Sequence, residues 1–364
     1  MSDSNRVLSL TAVGDIYINV GQLHQGIAPR RRVLDRADPV SAFAFVLLFL
    51  KQQDFLFGNL ECPLSDRGTP ALGKESWLRS HPSAVEALLS AGFDAVGLAN
   101  NHTLDFGSEA MLQTIEVLEN AGIGYTGAGN SRAQAHQPAI IEKEGTRVAF
   151  LSYSSVFMPG WEAKESSPGM SVVKINTFYQ PPKRFFEVPG MPAIIVTSPD
   201  QDDITTMKND LEAAKKQADI VVVSWHWGRS EGLRGTMDYQ VEMAHVAIDS
   251  GADLIFGHHS HAPQGVEVYK GKSIFYSMGN LVMDFDSPFF ANETIITRCS
   301  VRGKRIEEVS FLPVRINEDF QPKILDTLDG KDIVDLVLRN SENFDTAFSV
   351  EETKVVINFP AKAL

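Results

Sequence analysis

Short apolar runs recur along the chain, each followed by a small or polar cluster and then by a stretch with helical spacing. The runs at 7–13, 55–57, 94–98, 147–153, 220–223 and 254–256 have the length of strands. Their nearly continuous apolar character is expected where both faces of a sheet are covered. Between them, 41–53, 83–90, 108–122, 204–217 and 237–250 read as helices. Met111, Ile115 and Leu118 fall at spacings of four and three, behind Ser108 as a candidate cap. The most apolar run, 43–50, falls far short of the roughly twenty residues that cross a bilayer, and reads as a buried helix.

After Ala262 the pattern changes. Positions 266–269 and 273–276 flank Lys270-Gly271-Lys272 as a hairpin would, and 294–301 and 307–314 do the same around Arg302-Gly303-Lys304. An alternating αβ half thus leads into a β-rich half. That order predicts an α/β fold with two packed sheets and helices outside, a four-layer αββα sandwich. One domain is expected over 1–320, with 321–364 packed on it as a C-terminal extension bearing a helix near 331–338. Within the domain, 154–203 holds Pro159, Pro168, Pro181, Pro182, Pro189, Pro192 and Pro199 and little periodicity. Such a segment is either a lid over a site or a decorated surface excursion.

Composition adds boundaries. The 364 residues are 43% hydrophobic and 22% charged, ordinary for a globular protein, and the net charge is −13. That charge disfavours nucleic acid as a partner. An anionic substrate remains compatible where arginines or metal ions reverse the local field. Cys62 and Cys299 are the only cysteines and are expected to be free thiols in a reducing compartment. The N-terminus is polar and lacks an apolar signal core, so a cytoplasmic location is expected, with no membrane segment.

The candidate chemistry lies where the strands should end. Asp15, Asn59 with Glu61, Asn101 with His102, His226, and His259 with His261 all follow apolar runs. Carboxyl ends of strands are where ligands gather in open α/β sheets. Each placement alone is ordinary, since a strand-end aspartate is commonly a turn residue. Together they offer oxygen and imidazole donors without thiolates, suited to one or two divalent ions such as Mn, Fe or Zn. Alternation along an extended His259-Ser260-His261 would turn both imidazoles to one side and His258 to the other. His102 is the candidate for proton transfer. Asp105 would either orient it or mark the entry to the next helix. Softer substrate-binding candidates are Asn59, Arg79, Arg229, Glu231, Arg234 and Asn280. Their alternative roles are solvated loop charges or turn residues.

Read together, these residues resemble the calcineurin-like metallophosphoesterase superfamily, and more closely its CapA branch, implicated in poly-γ-glutamate capsule synthesis. The pieces that carry the resemblance are Gly14-Asp15, Asn59-Leu60-Glu61, Gly97 to His102 with Asp105-Phe106-Gly107, His226-Trp227-Gly228, Gly257 to His261, and Tyr276 to Asn280. The resemblance implies the calcineurin-like fold, metal ligation by Asp15, Glu61, Asn101, His226, His259 and His261, and catalytic roles for His102 and Asp105. Tyr17 stands where the superfamily has a histidine, and Asn59 where it has a bridging aspartate, a role that passes here to Glu61. The implied function is a metal-dependent hydrolase acting through a metal-activated water on a phosphoester or a poly-γ-glutamate-like amide. Its substrate would be a small molecule or an anionic polymer. Two alternatives are a metal-dependent dehydration or cyclisation enzyme of small-molecule biosynthesis and a non-catalytic capsule-polymer accessory protein.

Overall fold

A computed structural model describes residues 6–21, 32–184, 187–188, 190–230, 235–288 and 290–359. Two sheets dominate it. The first runs in the order Ala347–Val350, Val355–Asn358, Arg305–Ile316, Glu293–Arg302, Val7–Tyr17, Phe55–Leu60, Ala95–Gly97, Gly124–Thr126. Asn280–Met283 joins it in parallel beside the end of Val7–Tyr17. The second runs Val266–Tyr269, Lys272–Phe275, Leu254–His258, Ile220–His226, Thr146–Ser154, Ala139–Lys143. Its four inner strands are parallel and its two edges antiparallel.

Period-2 alternation sorts the strand side chains into layers. Val148, Phe150 and Val222 face the core between the sheets, where they meet Leu8, Leu10 and Phe57. Phe57 and Phe150 stack across it with ring centroids 4.7 Å apart. Their neighbours Ala149, Leu151, Val221 and Val223 face outward onto Met207 and Leu211 of helix Gln201–Lys215 and Met243 and Ala247 of helix Asp238–Asp249. On the far side, Leu56 and Val96 pack against helices Val85–Ala91 and Gly107–Ala121 through Leu88, Met111, Ile115 and Leu118. Three apolar layers therefore separate helix, sheet, sheet and helix, which is the four-layer αββα arrangement of the calcineurin-like fold. Cys62 and Cys299 are both free and buried. No helix among the described residues is long and apolar enough to cross a membrane.

Several local expectations change. The helix expected over 41–53 is a 3-10 turn, Pro39–Phe43, and a short helix, Leu47–Lys51. Asp38 starts the turn early, its side chain accepting from Val40 N with Pro39 at the first position. The β-rich half divides between the two sheets. Its hairpin Val266–Tyr269/Lys272–Phe275 completes the second sheet, whereas Glu293–Arg302 and Arg305–Ile316 complete the first. The 154–203 segment is less irregular than its prolines suggest, because Ile175–Gln180 and Ile194–Pro199 pair as an antiparallel ribbon. Past 330, helix Lys331–Asn340 sends Ile333, Val334 and Val337 into the core between the sheets, and the last two strands extend the first sheet.

One crossing matters for the site. Residues 276–280 pass from the second sheet to the first directly over two glycines. A Cβ on Gly257 would lie 2.0 Å from the Tyr276 carbonyl oxygen, and one on Gly14 1.9 Å from that of Gly279. Met278 N donates to Gly257 O at 3.1 Å, and Asp15 N donates to Gly279 O at 3.0 Å. Backbone contact at both glycines draws together the strand ends that carry Asp15 and His258.

Candidate metal centre

The strand ends meet between the two sheets. Glu61, His259 and His261 form the tightest group, each offering a ligand atom within 4.8 Å of the others, and all three are buried. Both Glu61 carboxylate oxygens lack a hydrogen-bond partner, as does His259 Nδ1. A buried carboxylate without donors is costly unless it neutralises, pairs or coordinates a cation. Burial first, and then the charge of Asp15, push the Glu61 carboxyl well above the usual carboxylate range.

The imidazoles are held neutral, the form that ligates. Burial and then neighbouring His261 bring His259 down to about 3. Burial and then His259 press His226 well below the ordinary histidine value, and burial lowers His261. An orphaned carboxylate facing neutral imidazoles is a donor set that fits a divalent transition ion. Glu61, His259 and His261 would hold it, with Asp15, His226 and Asn101 at the margin.

That margin is closely knit. His226 Nε2 lies 2.8 Å from Asn101 Oδ1 and 3.5 Å from Glu61 Oε1. Asp15 is hydrogen-bonded on both oxygens: its Oδ1 accepts from Asn59 Nδ2 at 2.8 Å and its Oδ2 from His259 N at 3.1 Å. Burial opposes its ionisation, but His258, His261 and the His259 amide outweigh that and keep its carboxyl below the usual value. His258 Nδ1 is 3.0 Å from Asp15 Oδ1, yet neither ring nitrogen makes a well-aligned hydrogen bond. The pair is a close polar contact rather than an aligned bond.

Around these groups sit residues that fix them. Asn280 Oδ1 lies 2.8 Å from His261 Nδ1. An amide oxygen accepts, so Nδ1 carries the hydrogen and Nε2 is left to ligate, 3.8 Å from Glu61 Oε1. Asn59 is fully buried and holds Asp15, and Asn100 Nδ2 in turn donates to Asn59 Oδ1 at 3.2 Å. Both Asn59 and Asn280, expected to meet substrate, thus make their contacts to Asp15 and His261. Asp105 Oδ2 accepts from His102 Nδ1 at 2.5 Å and from Leu78 N at 2.6 Å, which leaves His102 Nε2 with its lone pair. Burial lowers the His102 imidazole, and Lys74 adds to the effect against the opposing pull of Asp105.

Lys74 has no counterpart in the sequence reading. Its ammonium bonds Asp105 Oδ1 and, at 2.5 Å, the Asn101 carbonyl, and lies 3.4 Å from His102 Nδ1. Nothing in the spacing of Gly73-Lys74-Glu75 marks it; only the tertiary fold brings it there. Asn100, within the Gly97 to His102 motif, turns its amide onto Asn59 and the Leu60 carbonyl.

The remaining expectations resolve as follows. Arg79 stacks its guanidinium 4.0 Å above the Phe106 ring and donates from Nη1 to Arg67 O at 3.2 Å, while its buried Nε has no hydrogen-bond partner. Arg229 is exposed on the loop after His226, and Glu231 and Arg234 fall outside the described residues. His259 and His261 do come together, but not by alternation. The strand ends at His258, and both histidines adopt left-handed backbone, with φ of 87° and 53°. Tyr17 is buried, its hydroxyl donating to Asn19 Oδ1 at 3.1 Å and its ring set edge-on to Phe285. It offers the centre no free donor. A cavity of about 510 Å³ lies behind the loop that follows Ser154, lined by none of the centre's residues.

Comparison with known proteins identifies the family. The family model described as bacterial capsule synthesis protein PGA_cap matches residues 9–285. The PGA biosynthesis protein CapA of Bacillus subtilis is 28% identical over 358 residues, covering 98% of this chain and 83% of that protein. The capsule biosynthesis protein CapA of Bacillus anthracis is 27% identical over 328 residues, covering 89% and 71%. A probable polyglutamine synthesis accessory protein of Mycobacterium tuberculosis is 31% identical over 233 residues, covering 63% and 55%. With most of its length matched, its strand-end residues included, the chain belongs to the PGA_cap family of bacterial capsule synthesis proteins.

Proposed function

We propose that the chain is a metal-dependent hydrolase acting on an amide of a poly-γ-glutamate-like polymer, with phosphoesters as the alternative substrate class. The observation that carries this reading is the Glu61 carboxylate, buried and without a partner on either oxygen, facing His259 and His261. When bound there, a divalent ion supplies Lewis acidity and neutralises charge that develops on the attacked group. Asn59 and Asn280 keep Asp15 and His261 aimed. Asp105 and Lys74 fix His102 so that Nε2 can exchange a proton with the leaving group. The relatives' names supply the polymer. The 154–203 segment serves as the lid in this reading, supported by Trp161, whose ring lies 5.2 Å from the Lys74 ammonium.

A second reading is favoured by the name of the mycobacterial relative: an accessory protein that holds polymer without cutting it. Manganese-loaded protein, incubated with γ-linked polyglutamate and with a bis-aryl phosphodiester, separates the two. Shortening of the polymer, lost in His102→Ala, supports the hydrolase. Polymer retained at full length by a metal-loaded chain that also leaves the phosphodiester intact supports the accessory reading and removes the first.

A further inference from the structure

A cavity of about 510 Å³ lies behind the loop that leaves strand Thr146–Ser154, and none of the metal-centre residues lines it. We propose that it binds the free amino-terminal unit of the substrate, an α-amino acid zwitterion. The proposal rests on the γ-glutamyl reading above and names which part of such a chain is recognised.

The lining carries both signs of charge. Arg132, His136 and Lys174 face the same space as Glu162, Asp202 and Asp203. In a γ-linked glutamate chain the interior units offer carboxylates alone. Only the amino-terminal unit places an ammonium and a carboxylate on one carbon. A purely cationic cavity would suit interior units; this mixed one suits the terminus, carboxylate toward Arg132 and Lys174, ammonium toward the acidic side. Met170 and Val172 supply apolar wall for the methylenes. His136 is fixed for such a role, because its Nδ1 lies 2.7 Å from Asp210 Oδ2, which also accepts from the Tyr153 hydroxyl at 3.0 Å.

The position relative to the centre fits a chain that spans both. Ser155 N donates to the His226 carbonyl at 2.9 Å, and Trp225 Nε1 donates to Ser155 Oγ at 3.0 Å. Further along the same loop, Phe157, Pro159 and Gly160 line the cavity, while Trp161 covers Lys74. A single loop therefore has the cavity on one side and the His102 pair on the other.

Calorimetric titration of the full chain with γ-glutamyl-glutamate, in L and D forms and in excess chelator, tests this. Binding is expected without metal, weakened about tenfold or more when the dipeptide is N-acetylated, since a charge-assisted contact is lost. Lys174→Met and Asp202→Asn, both at exposed positions, should each weaken it by about threefold to tenfold while leaving the melting temperature in place. Equal affinity for the acetylated dipeptide, full affinity in both variants, or no binding at all overturns the proposal. Failure of the hydrolase reading looks different. Metal-dependent cleavage that proceeds equally on amino-capped polymer removes the terminal-unit site and leaves the hydrolase, whereas zwitterion binding without cleavage does the reverse.

Discussion

Replacing Glu61 by Gln keeps the shape of the centre and removes one charge, so it separates the cost of that charge from the gain of a bound ion. In metal-free protein the buried, partnerless carboxyl is held well above its ordinary value, by burial and then by Asp15. A carboxyl raised in the fold is stabilising below its unfolded value, about 4.3, and that contribution is lost as pH rises through the folded value. Metal-free wild type should therefore be less stable at about pH 8 than at about pH 5, and Glu61→Gln should change less. With metal the order reverses. An ion at about 100 times its dissociation constant stabilises by roughly 2.7 kcal/mol. For 364 residues, at about 2.1 cal/mol/K per residue, the unfolding entropy is near 0.76 kcal/mol/K, so the shift in Tm is about 3–4 °C. Thermal melts with and without manganese, at both pH values, read these terms directly. The reasoning fails if Glu61→Gln keeps the metal-induced shift, or if wild type shows none.

Three further outcomes are expected. His102→Ala should retain metal and lose about 10²–10⁴-fold in turnover on whichever substrate is cleaved, whereas His226→Ala should lose both; elemental analysis beside a rate assay checks the pair. Gly14→Ala should destabilise by about 1–3 kcal/mol or more, because its Cβ would stand 1.9 Å from the Gly279 carbonyl oxygen; urea unfolding measures it, and a neutral result contradicts the described crossing. Tyr17→His should cost about 1–3 kcal/mol and leave metal content unchanged, since the Tyr17 ring packs on Phe285 and its hydroxyl is spent on Asn19; a gain of metal would show that the side chain reaches the centre.

The layers were legible because they depend on local periodicity. Val221, Val222 and Val223 alternate between two apolar layers, and a run of that kind reads as a doubly covered strand from the letters alone. Which sheet each later strand joins was not legible. That choice is made by residues 276–280, whose tight passage over Gly14 and Gly257 is a long-range fact. The strand-end donors were visible one by one, and their meeting followed from the fold. The reason given for His259 and His261 did not survive, because positive φ at both positions ends the extended geometry that alternation requires. Lys74 was invisible for a related cause: an isolated lysine in a glycine-containing loop carries no spacing signal, and its partners lie 27 to 31 positions away.

Buried polar networks of this size are costly to keep, and the identity of their members bears on why they are kept. A metal that served only to staple the two sheets would need its ligands and the residues that aim them, such as Asn59 and Asn280. It would not need His102, which Asp105 and Lys74 hold with Nε2 unoccupied by either partner. Asp105 is fully buried and spends its bonds on Leu78 N, His102 and Lys74, so its removal would cost the Leu78 amide its acceptor and strip the Lys74 ammonium of its counter-charge. The Asp105 contacts to Leu78 and Lys74 are ones a purely structural loop could use. The His102 contact is different, because it fixes a tautomer and leaves Nε2 open to take a proton or to meet an ion. The metal-loaded His102→Ala chain separates these roles: loss of turnover with the metal retained marks a proton carrier, loss of the metal marks a ligand, and no change in either marks a structural contact.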